Sequence, residues 1–246
     1  YRDWRAFFIL NTLVSIYNAH GMNYRLLNSE TSEFVDTILA DLRSPLAKNL
    51  RDADGNRVIP LSDESTTPDI LPGRYKQLAD LIRFYEPKKI LETGTWNAGR
   101  AIEMSLAAFD RTDTVHYIGY DLFEDATSTI DKEEFNVKPH NTEAAVVKRL
   151  DEFTEYVKEH NDKTFTYELH KGNVRDVLTK DIPDDIDLAL IGSGNSEQTV
   201  AHEFDMLQSV PIVLMDHYFT KDEAEELPPE KYQGVNKVFE KIETNK

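Results

Sequence analysis

The stretch that decides the fold reads Lys88-Lys89-Ile90-Leu91-Glu92-Thr93-Gly94-Thr95-Trp96-Asn97-Ala98-Gly99-Arg100. A short apolar run ends in an acid, a turn with two glycines follows, and apolar residues then recur at helical spacing. A second apolar run, from Val115 to Tyr120, is followed directly by Asp121. This order is typical of an open α/β sheet that holds a ligand in a crevice at the carboxyl ends of its strands.

The elements around this stretch predict the fold class. The predicted strands are residues 89–92, 115–120, 165–169, 186–191 and 212–215, with amphipathic helices between them and a last helix near Val235 to Ile242. The fourth and fifth strands are apolar throughout, as expected of parallel strands that are covered on both faces. We therefore predict an α/β domain over residues 74–246 with a doubly wound, mostly parallel, Rossmann-like sheet.

The segment before this domain has a different pattern. Residues 1–73 are predicted to form an N-terminal helical extension, with Phe7, Leu10 and Val14 at helical spacing, that ends in a polar loop from about residue 46. After Ile242 only four residues remain, so either the chain is cut short or the sheet stops near its fifth strand. Because an uncovered strand edge invites pairing, we expect a homo-oligomer or coverage of that edge by the N-terminal extension.

Composition limits the partners. The 246 residues carry 45 acidic against 28 basic side chains, and a net charge of −17 repels phosphate backbones, so we expect no nucleic-acid partner. There is no cysteine, which excludes disulfides and thiolate metal sites, and no histidine pair has ligand spacing, so no metal site is predicted. No secretory signal is visible and the apolar run Ala6 to Ile16 is far shorter than the ~20 residues of a membrane span. We therefore expect a cytoplasmic protein without a membrane partner.

The glycine turn resembles a family motif. Glu92-x-Gly94-x-x-x-x-Gly99 resembles motif I of the class I S-adenosylmethionine-dependent methyltransferases in its form E-x-G-T-x-x-G-G-S, with Ala98 in place of the first paired glycine and Arg100 in place of the serine. The resemblance extends over roughly residues 74–243 and implies S-adenosyl-L-methionine as cofactor. It implies cofactor contacts at Glu92, Gly94, Thr95 and Gly99, with Glu92 holding an ordered water or the amino group.

Two further positions fit the same cofactor. Asp121, at the tip of the second predicted strand, has the geometry to accept both ribose hydroxyls, and the alternative is a helix cap or a solvated loop acid. Asn173, after the third predicted strand, is similar in position to the family's residue at the adenine edge, and the alternative is a plain helix N-cap. The three elements follow one another in the order that the family has.

The fourth strand departs from the family. The sequence after it resembles the ending Phe-Ile-Asp-Gly-Gly-His-Ser of a small-molecule group, but Gly192 stands in place of the aspartate and Asn195 in place of the histidine. In metal-dependent relatives that aspartate is a ligand and the histidine is a candidate base. A hard cation needs several oxygen ligands, so this departure speaks against a metal-dependent reaction.

Catalytic candidates follow the fifth strand. Asp216 lies at the carboxyl edge of the predicted sheet, and His217 is a candidate general base because its ordinary pKa is close to working pH. The alternative is that Asp216 caps the next turn and His217 faces solvent. The acidic residues 122–141, which follow the ribose-binding strand and show no clear period, are a candidate lid over the site.

Three functions remain open at this point. The first is S-adenosylmethionine-dependent methyl transfer to a small molecule, at a hydroxyl. The second is a relative that binds the cofactor or a nucleoside but lost its chemistry at Gly192 and Asn195. The third is a nicotinamide-dependent oxidoreductase, which the unmatched glycines of G-x-G-x-x-G disfavour.

Overall fold

The computed structural model describes residues 23–26, 73–179, 182–218 and 234–244, and a parallel sheet lies at its centre. The strands are β1 Asn23–Leu26, β2 Lys89–Thr93, β3 Thr114–Asp121, β4 Thr164–Lys171, β5 Leu188–Ile191 and β6 Ile212–Met215. They lie in the order β1-β6-β5-β2-β3-β4, and every pairing is parallel. The α/β doubly wound parallel sheet predicted from the sequence is therefore confirmed.

Helices connect the strands as the apolar periods predict. Within the described residues they are α1 Gly73–Tyr85, α2 Gly99–Ala108, α3 Ser128–Glu133, α4 Glu143–Asn161, α5 Val174–Val177, α6 Glu197–Met206 and α7 Val235–Thr244. Residues 122–141 were expected to be irregular, but they contain a 3₁₀ turn, Phe123–Asp125, and α3. The Thr127 hydroxyl caps α3 by accepting the Ile130 N–H at 3.3 Å. One and a half turns are too short to produce a visible apolar period.

The N-terminal segment departs from prediction at four residues. Helix was expected through about residue 45, but Asn23–Leu26 form β1, which pairs with β6 from Asn23↔Ile212 to Leu26↔Met215. The edge of β6 offers unpaired backbone groups, and a strand that satisfies them outweighs a local helical preference. Coverage of this edge by the N-terminal extension is thus confirmed. The rest of the predicted extension up to residue 72 lies outside the described residues, and the domain boundary at 73 stays a prediction.

Two apolar cores cover the faces of the sheet. On one face Ile90 of β2 packs with α1, α2 and α4 through Ile82, Ile102 and Leu150. On the other face Leu91 belongs to the core that includes the buried side chains of α5, α6 and α7. Neighbouring strand residues point to opposite faces, so β2 contributes to both cores. No helix in the described ranges is long and apolar enough to cross a membrane.

The strand order fixes where a ligand would bind. From β2 the chain winds outward through β3 to β4 and then returns to the other side of β2 to form β5 and β6. Open α/β sheets bind ligands at such a reversal, outside the carboxyl ends of the strands. The predicted site residues Glu92, Asp121 and Asp216 lie at or directly after the ends of β2, β3 and β6. The fold therefore brings them to one edge.

Candidate functional site

The glycine turn after β2 is held by backbone contacts. Gly94 has φ +82° and donates its N–H to the Tyr120 carbonyl at 2.7 Å. A Cβ at Gly94 would lie 2.4 Å from the Gly192 carbonyl oxygen, so the turns after β2 and β5 meet backbone to backbone. Only glycine combines this φ with this proximity. Its contact with a cofactor stays a prediction.

The rest of the turn leads into α2. Ala98, where the family motif has glycine, is buried at φ 61°, a left-handed conformation that glycine adopts at lower cost. The Asn97 side chain accepts the Gly99 N–H at 2.9 Å and so closes the turn. The buried Thr95 hydroxyl lies 3.0 Å from the Tyr117 hydroxyl. Its side chain therefore belongs to the interior, and a cofactor contact would fall to the Thr95 backbone.

Asp121 ties the glycine turn to the loop after β3. Its Oδ2 accepts the Trp96 N–H at 2.8 Å and its Oδ1 accepts the Phe123 N–H at 2.7 Å. An ionised carboxylate has about four acceptor positions, so both oxygens can accept a ribose hydroxyl as well. Asp121, which the sequence predicts as the ribose acceptor, is thus fixed beside the glycine turn, which the sequence predicts as a cofactor contact.

Glu92 is fully buried below the glycine turn. The Tyr117 hydroxyl donates to its Oε2, and the Arg100 Nε lies 2.7 Å from its Oε1. Burial raises the pKa of the Glu92 carboxyl above its usual value, against the lowering effects of Arg100 and of the Tyr117 hydrogen bond. The neighbouring charges of Asp121 and Asp216 add to the rise. The charged form of Glu92 therefore depends on a cation beside it.

Arg100 is that cation, and sequence reasoning gave it no role. Besides Glu92, its Nη1 donates to Asp216 Oδ2 at 2.6 Å and its Nη2 donates to the Gly94 carbonyl at 2.7 Å. We call Arg100, Glu92, Gly94, Gly192 and Asp216 the Arg100 cluster. One signal was available: a cation in the first turn of a helix is opposed by the helix dipole, so an arginine there needs acidic partners.

Gly192 makes room for the guanidinium. A Cβ at Gly192 would lie 2.9 Å from Arg100 Nη1 and 3.0 Å from Nη2. Gly192 and Arg100, which stand where the resembled motifs have aspartate and serine, therefore occupy adjoining space. The two departures, separate in the sequence, are one feature of the structure.

Asp216 and His217 follow β6. Asp216 is 1% exposed, and its Oδ1 accepts the His217 N–H at 2.8 Å while Arg100 holds Oδ2. The His217 Nε2 lies 3.9 Å from Asp216 Oδ2, and its backbone is left-handed with φ 65°. Asp216 is thus a buried ion-pair partner, which makes it a group that holds His217 rather than one that exchanges protons with solvent.

Asn173 lies at the start of α5. Its Oδ1 accepts the Arg175 N–H at 3.0 Å, which is the helix-cap alternative raised by the sequence. This uses the acceptor end of the amide, and a bond from its NH₂ group to an adenine stays a prediction. His170, at the adjoining strand end, stacks on Tyr120 with ring centroids 4.5 Å apart.

Residues 122–141, here called the lid segment, contact both turns that border the crevice. Glu134 accepts the backbone N–H groups of Asn195 and Ser196 at 3.0 and 2.9 Å, and the Thr199 hydroxyl. On the other side the Trp96 ring donates its Nε1–H to the Pro139 carbonyl at 2.9 Å. Asn195, where the resembled motif has a histidine, therefore holds the lid segment through Glu134, directly before the start of α6.

Other grouped features do not include the predicted site. Among residues of the described ranges, no three His, Asp or Glu side chains are grouped so that they could hold a metal ion. A shallow surface groove of about 470 Å³ runs along the first turns of α4 between residues 143 and 152, and none of the residues selected from the sequence lines it.

Comparison with known proteins gives structural neighbours only. No family model and no curated protein matches the chain. It is similar to the O-methyltransferase TomG from Streptomyces achromogenes in complex with SAM, at 18% identity over 88% of this chain and 87% of that chain, with a TM-score of 0.49. It is also similar to the O-methyltransferase NovP, at 15% identity over 87% and 91% of the chains and a TM-score of 0.47.

A third neighbour is the O-methyltransferase from Bacillus cereus in complex with SAH, at 16% identity over 88% of each chain and a TM-score of 0.46. All three are O-methyltransferases, the group that the sequence motifs resemble. At identities of 15–18%, the function has to be argued from this chain's own residues.

Proposed function

We propose that this chain binds S-adenosyl-L-methionine at the carboxyl ends of β2 and β3 and transfers its methyl group to a hydroxyl of a small molecule. The observation that carries this proposal is the pairing of Asp121 with the glycine turn through the Trp96 N–H at 2.8 Å. An acid held in that position, with acceptor capacity left on both oxygens, suits a ribose.

The residues present fit the adenosyl part of the cofactor. At its amino-acid end, the cofactor's amino group competes with Arg100 for the same acceptors. Asp121 would hold the ribose, and the Gly94 carbonyl and Glu92 would hold the amino group. Arg100 donates to the Gly94 carbonyl at 2.7 Å, and its Nε lies 2.7 Å from Glu92 Oε1, so the amino group has to share these acceptors with Arg100 or displace it. Glu92 and Asp216 share the single guanidinium of this cluster, so the acceptors there are already in contact with a cation.

The chain's own part in the reaction is alignment and proton removal. When bound, the cofactor supplies a methyl group on a cationic sulfur. His217 is the group that would take the hydroxyl proton, since Asp216 fixes its backbone and its ring lies at the strand edge. Alignment of the hydroxyl with the methyl group is the main remaining demand, and the lid segment would exclude water from that path.

Calorimetry tests the binding half of the proposal. We expect S-adenosylmethionine and S-adenosylhomocysteine to bind and NAD not to bind. Asp121→Ala should weaken binding of the first two at least tenfold, because a charge-assisted contact contributes roughly 1.5–3 kcal/mol. Asp125→Ala is the matched control, since Asp125 lies in the same loop but is exposed and pairs with Lys171 at 3.1 Å. Equal affinities in the two variants would refute the site.

A second candidate function is a cofactor- or nucleoside-binding protein without methyl transfer. The specific observation in its favour is that Arg100 forms ion pairs with both Asp216 and Glu92, so both carboxylates are engaged in contacts within the protein rather than with a reacting group. Methyl transfer from labelled S-adenosylmethionine to a panel of hydroxylated compounds separates the two candidates. Binding without transfer to any of them, with His217→Ala indistinguishable from wild type, would favour the second.

A further inference from the structure

Arg100 occupies the acceptors that a ligand ammonium would need. We propose that Arg100 is a tethered cation that competes with the amino group of adenosyl ligands, so that this crevice favours adenosyl thioethers without an amino-acid end over S-adenosylhomocysteine and S-adenosylmethionine. The inference rests on the proposed function in one respect, namely that adenosyl compounds bind here. It adds a residue that sets which of them binds best.

The acceptors of the Arg100 cluster form a cation site. Glu92 and Asp216 are 0% and 1% exposed, and each has an oxygen within 2.7 Å of the guanidinium. The Gly94 carbonyl adds a third acceptor at 2.7 Å. Two buried carboxylates so close together require a cation. An ammonium group brings three N–H donors and one positive charge, which matches three acceptors in the same way as Arg100 does.

The absence of a side chain at Gly192 leaves space for the Arg100 guanidinium. Gly192 has no side chain, and a Cβ there would come within 3.3 Å of the Arg100 Cζ and closer to both terminal nitrogens. Arg100 also lies in the first turn of α2, where the helix dipole opposes a positive charge. The side chain is therefore retained by the carboxylates and by the space at Gly192, and not by its own helix.

Competition follows from this arrangement. A ligand ammonium can reach the Gly94 carbonyl and Glu92 only when Arg100 gives them up, and the loss of those contacts subtracts from the ligand's affinity. A ligand such as 5′-methylthioadenosine has the same adenosyl group but no ammonium, and it leaves Arg100 in place. Asp121 serves both ligands alike, because it lies at the ribose end.

Titration calorimetry with S-adenosylhomocysteine and 5′-methylthioadenosine tests the inference. Arg100→Ser, the residue of the resembled motif, should bind S-adenosylhomocysteine about tenfold tighter or more, while 5′-methylthioadenosine binds as it does to wild type. Arg100→Lys keeps a tethered cation, so its affinity for S-adenosylhomocysteine should lie closer to that of wild type than the affinity of Arg100→Ser does. An affinity for S-adenosylhomocysteine that falls or stays constant in Arg100→Ser would overturn the inference.

A second variant covers the case in which Arg100→Ser does not fold. Gly192→Ala crowds the guanidinium but removes no charge, so it should raise the affinity for S-adenosylhomocysteine in the same direction. The absence of any rise in this folded variant would equally overturn the competition. If 5′-methylthioadenosine binds with dependence on Asp121 while neither variant changes S-adenosylhomocysteine binding, only this inference fails. If neither compound binds to wild type or variants, the proposed function fails with it.

Discussion

The Arg100 Nη1 lies 2.6 Å from Asp216 Oδ2 and so joins the first turn of α2 to the end of β6 across 116 residues of sequence. Through Nε and Nη2 the same guanidinium also reaches Glu92, near the end of β2, and the Gly94 carbonyl of the glycine turn. One side chain thus forms ion pairs with two buried carboxylates at the edge where we propose that a ligand binds. Its contribution to folding and its proposed contribution to ligand choice are separable by measurement.

Removal of the Arg100 charge should destabilise the fold strongly. We expect Arg100→Met to lower the free energy of unfolding by about 3 kcal/mol or more at neutral pH, because Glu92 and Asp216 then stay buried without a cation. Urea unfolding followed by circular dichroism measures this. Arg111→Met is the control, since its 4.0 Å contact with Glu86 is exposed and should matter little. Similar costs in both variants would contradict the ion-pair account.

Substitution of Gly94 should be far more costly than substitution of Gly99. Gly94→Ala places a Cβ 2.4 Å from the Gly192 carbonyl at φ +82°, so the two turns must separate. At Gly99 the nearest group is the Asn97 side-chain oxygen, 2.9 Å away, which can rotate aside. We expect a loss above about 2 kcal/mol for Gly94→Ala and below about 1 kcal/mol for Gly99→Ala in urea unfolding. The opposite ranking would mean that the turns do not meet as described.

Glu134 should control the protection of the lid segment. Its carboxylate satisfies the N–H groups of Asn195 and Ser196 at the start of α6, so Glu134→Ala removes the acceptor for both. Amide hydrogen exchange should become faster in residues 128–140 and at the first turn of α6. Glu133→Ala is the neighbouring control, because Glu133 makes a single exposed contact with Arg175 at 3.4 Å. Unchanged exchange in Glu134→Ala would show that other contacts hold the segment.

Glu203 should make stability depend on pH. It is fully buried, where it accepts the Ser193 hydroxyl, and burial raises its pKa from 4.5 to about 7. Between these two values the folded chain keeps a proton that the unfolded chain releases, so the free energy of unfolding falls as pH rises. The slope is roughly 1.4 kcal/mol per pH unit for one group.

The matched variants for this pH effect are Glu203→Gln and Glu197→Gln. The first should remove the part of the decline in stability that Glu203 contributes, because glutamine does not titrate, while Glu92, whose pKa burial also raises, keeps its own part. The second should leave it in place, since Lys241 lowers the pKa of the Glu197 carboxyl and its linkage lies at more acidic pH. Chemical unfolding at a series of pH values gives both curves. A decline of unchanged slope in Glu203→Gln would assign the effect to another group.

Much of the fold was determined by the sequence alone. The strands β2 to β6 and the helices α1, α2, α4, α6 and α7 follow from apolar periods, and the glycine turn and the position of Asp121 follow from local chemistry at strand ends. These features depend on residues that are close in the chain, where period and turn preference act directly. The parallel direction of the strands follows as well, because strands that alternate with helices are joined by right-handed crossover connections.

Only the tertiary structure decided the remaining features. Arg100 meets Asp216 and adjoins Gly192, Glu134 docks at Asn195, and β1 pairs with β6, all between segments that are far apart in sequence. Each of these contacts satisfies a charge or a backbone group that would otherwise be buried or exposed without a partner. Which partner does so depends on how the strand ends converge in space, and no local pattern carries that information.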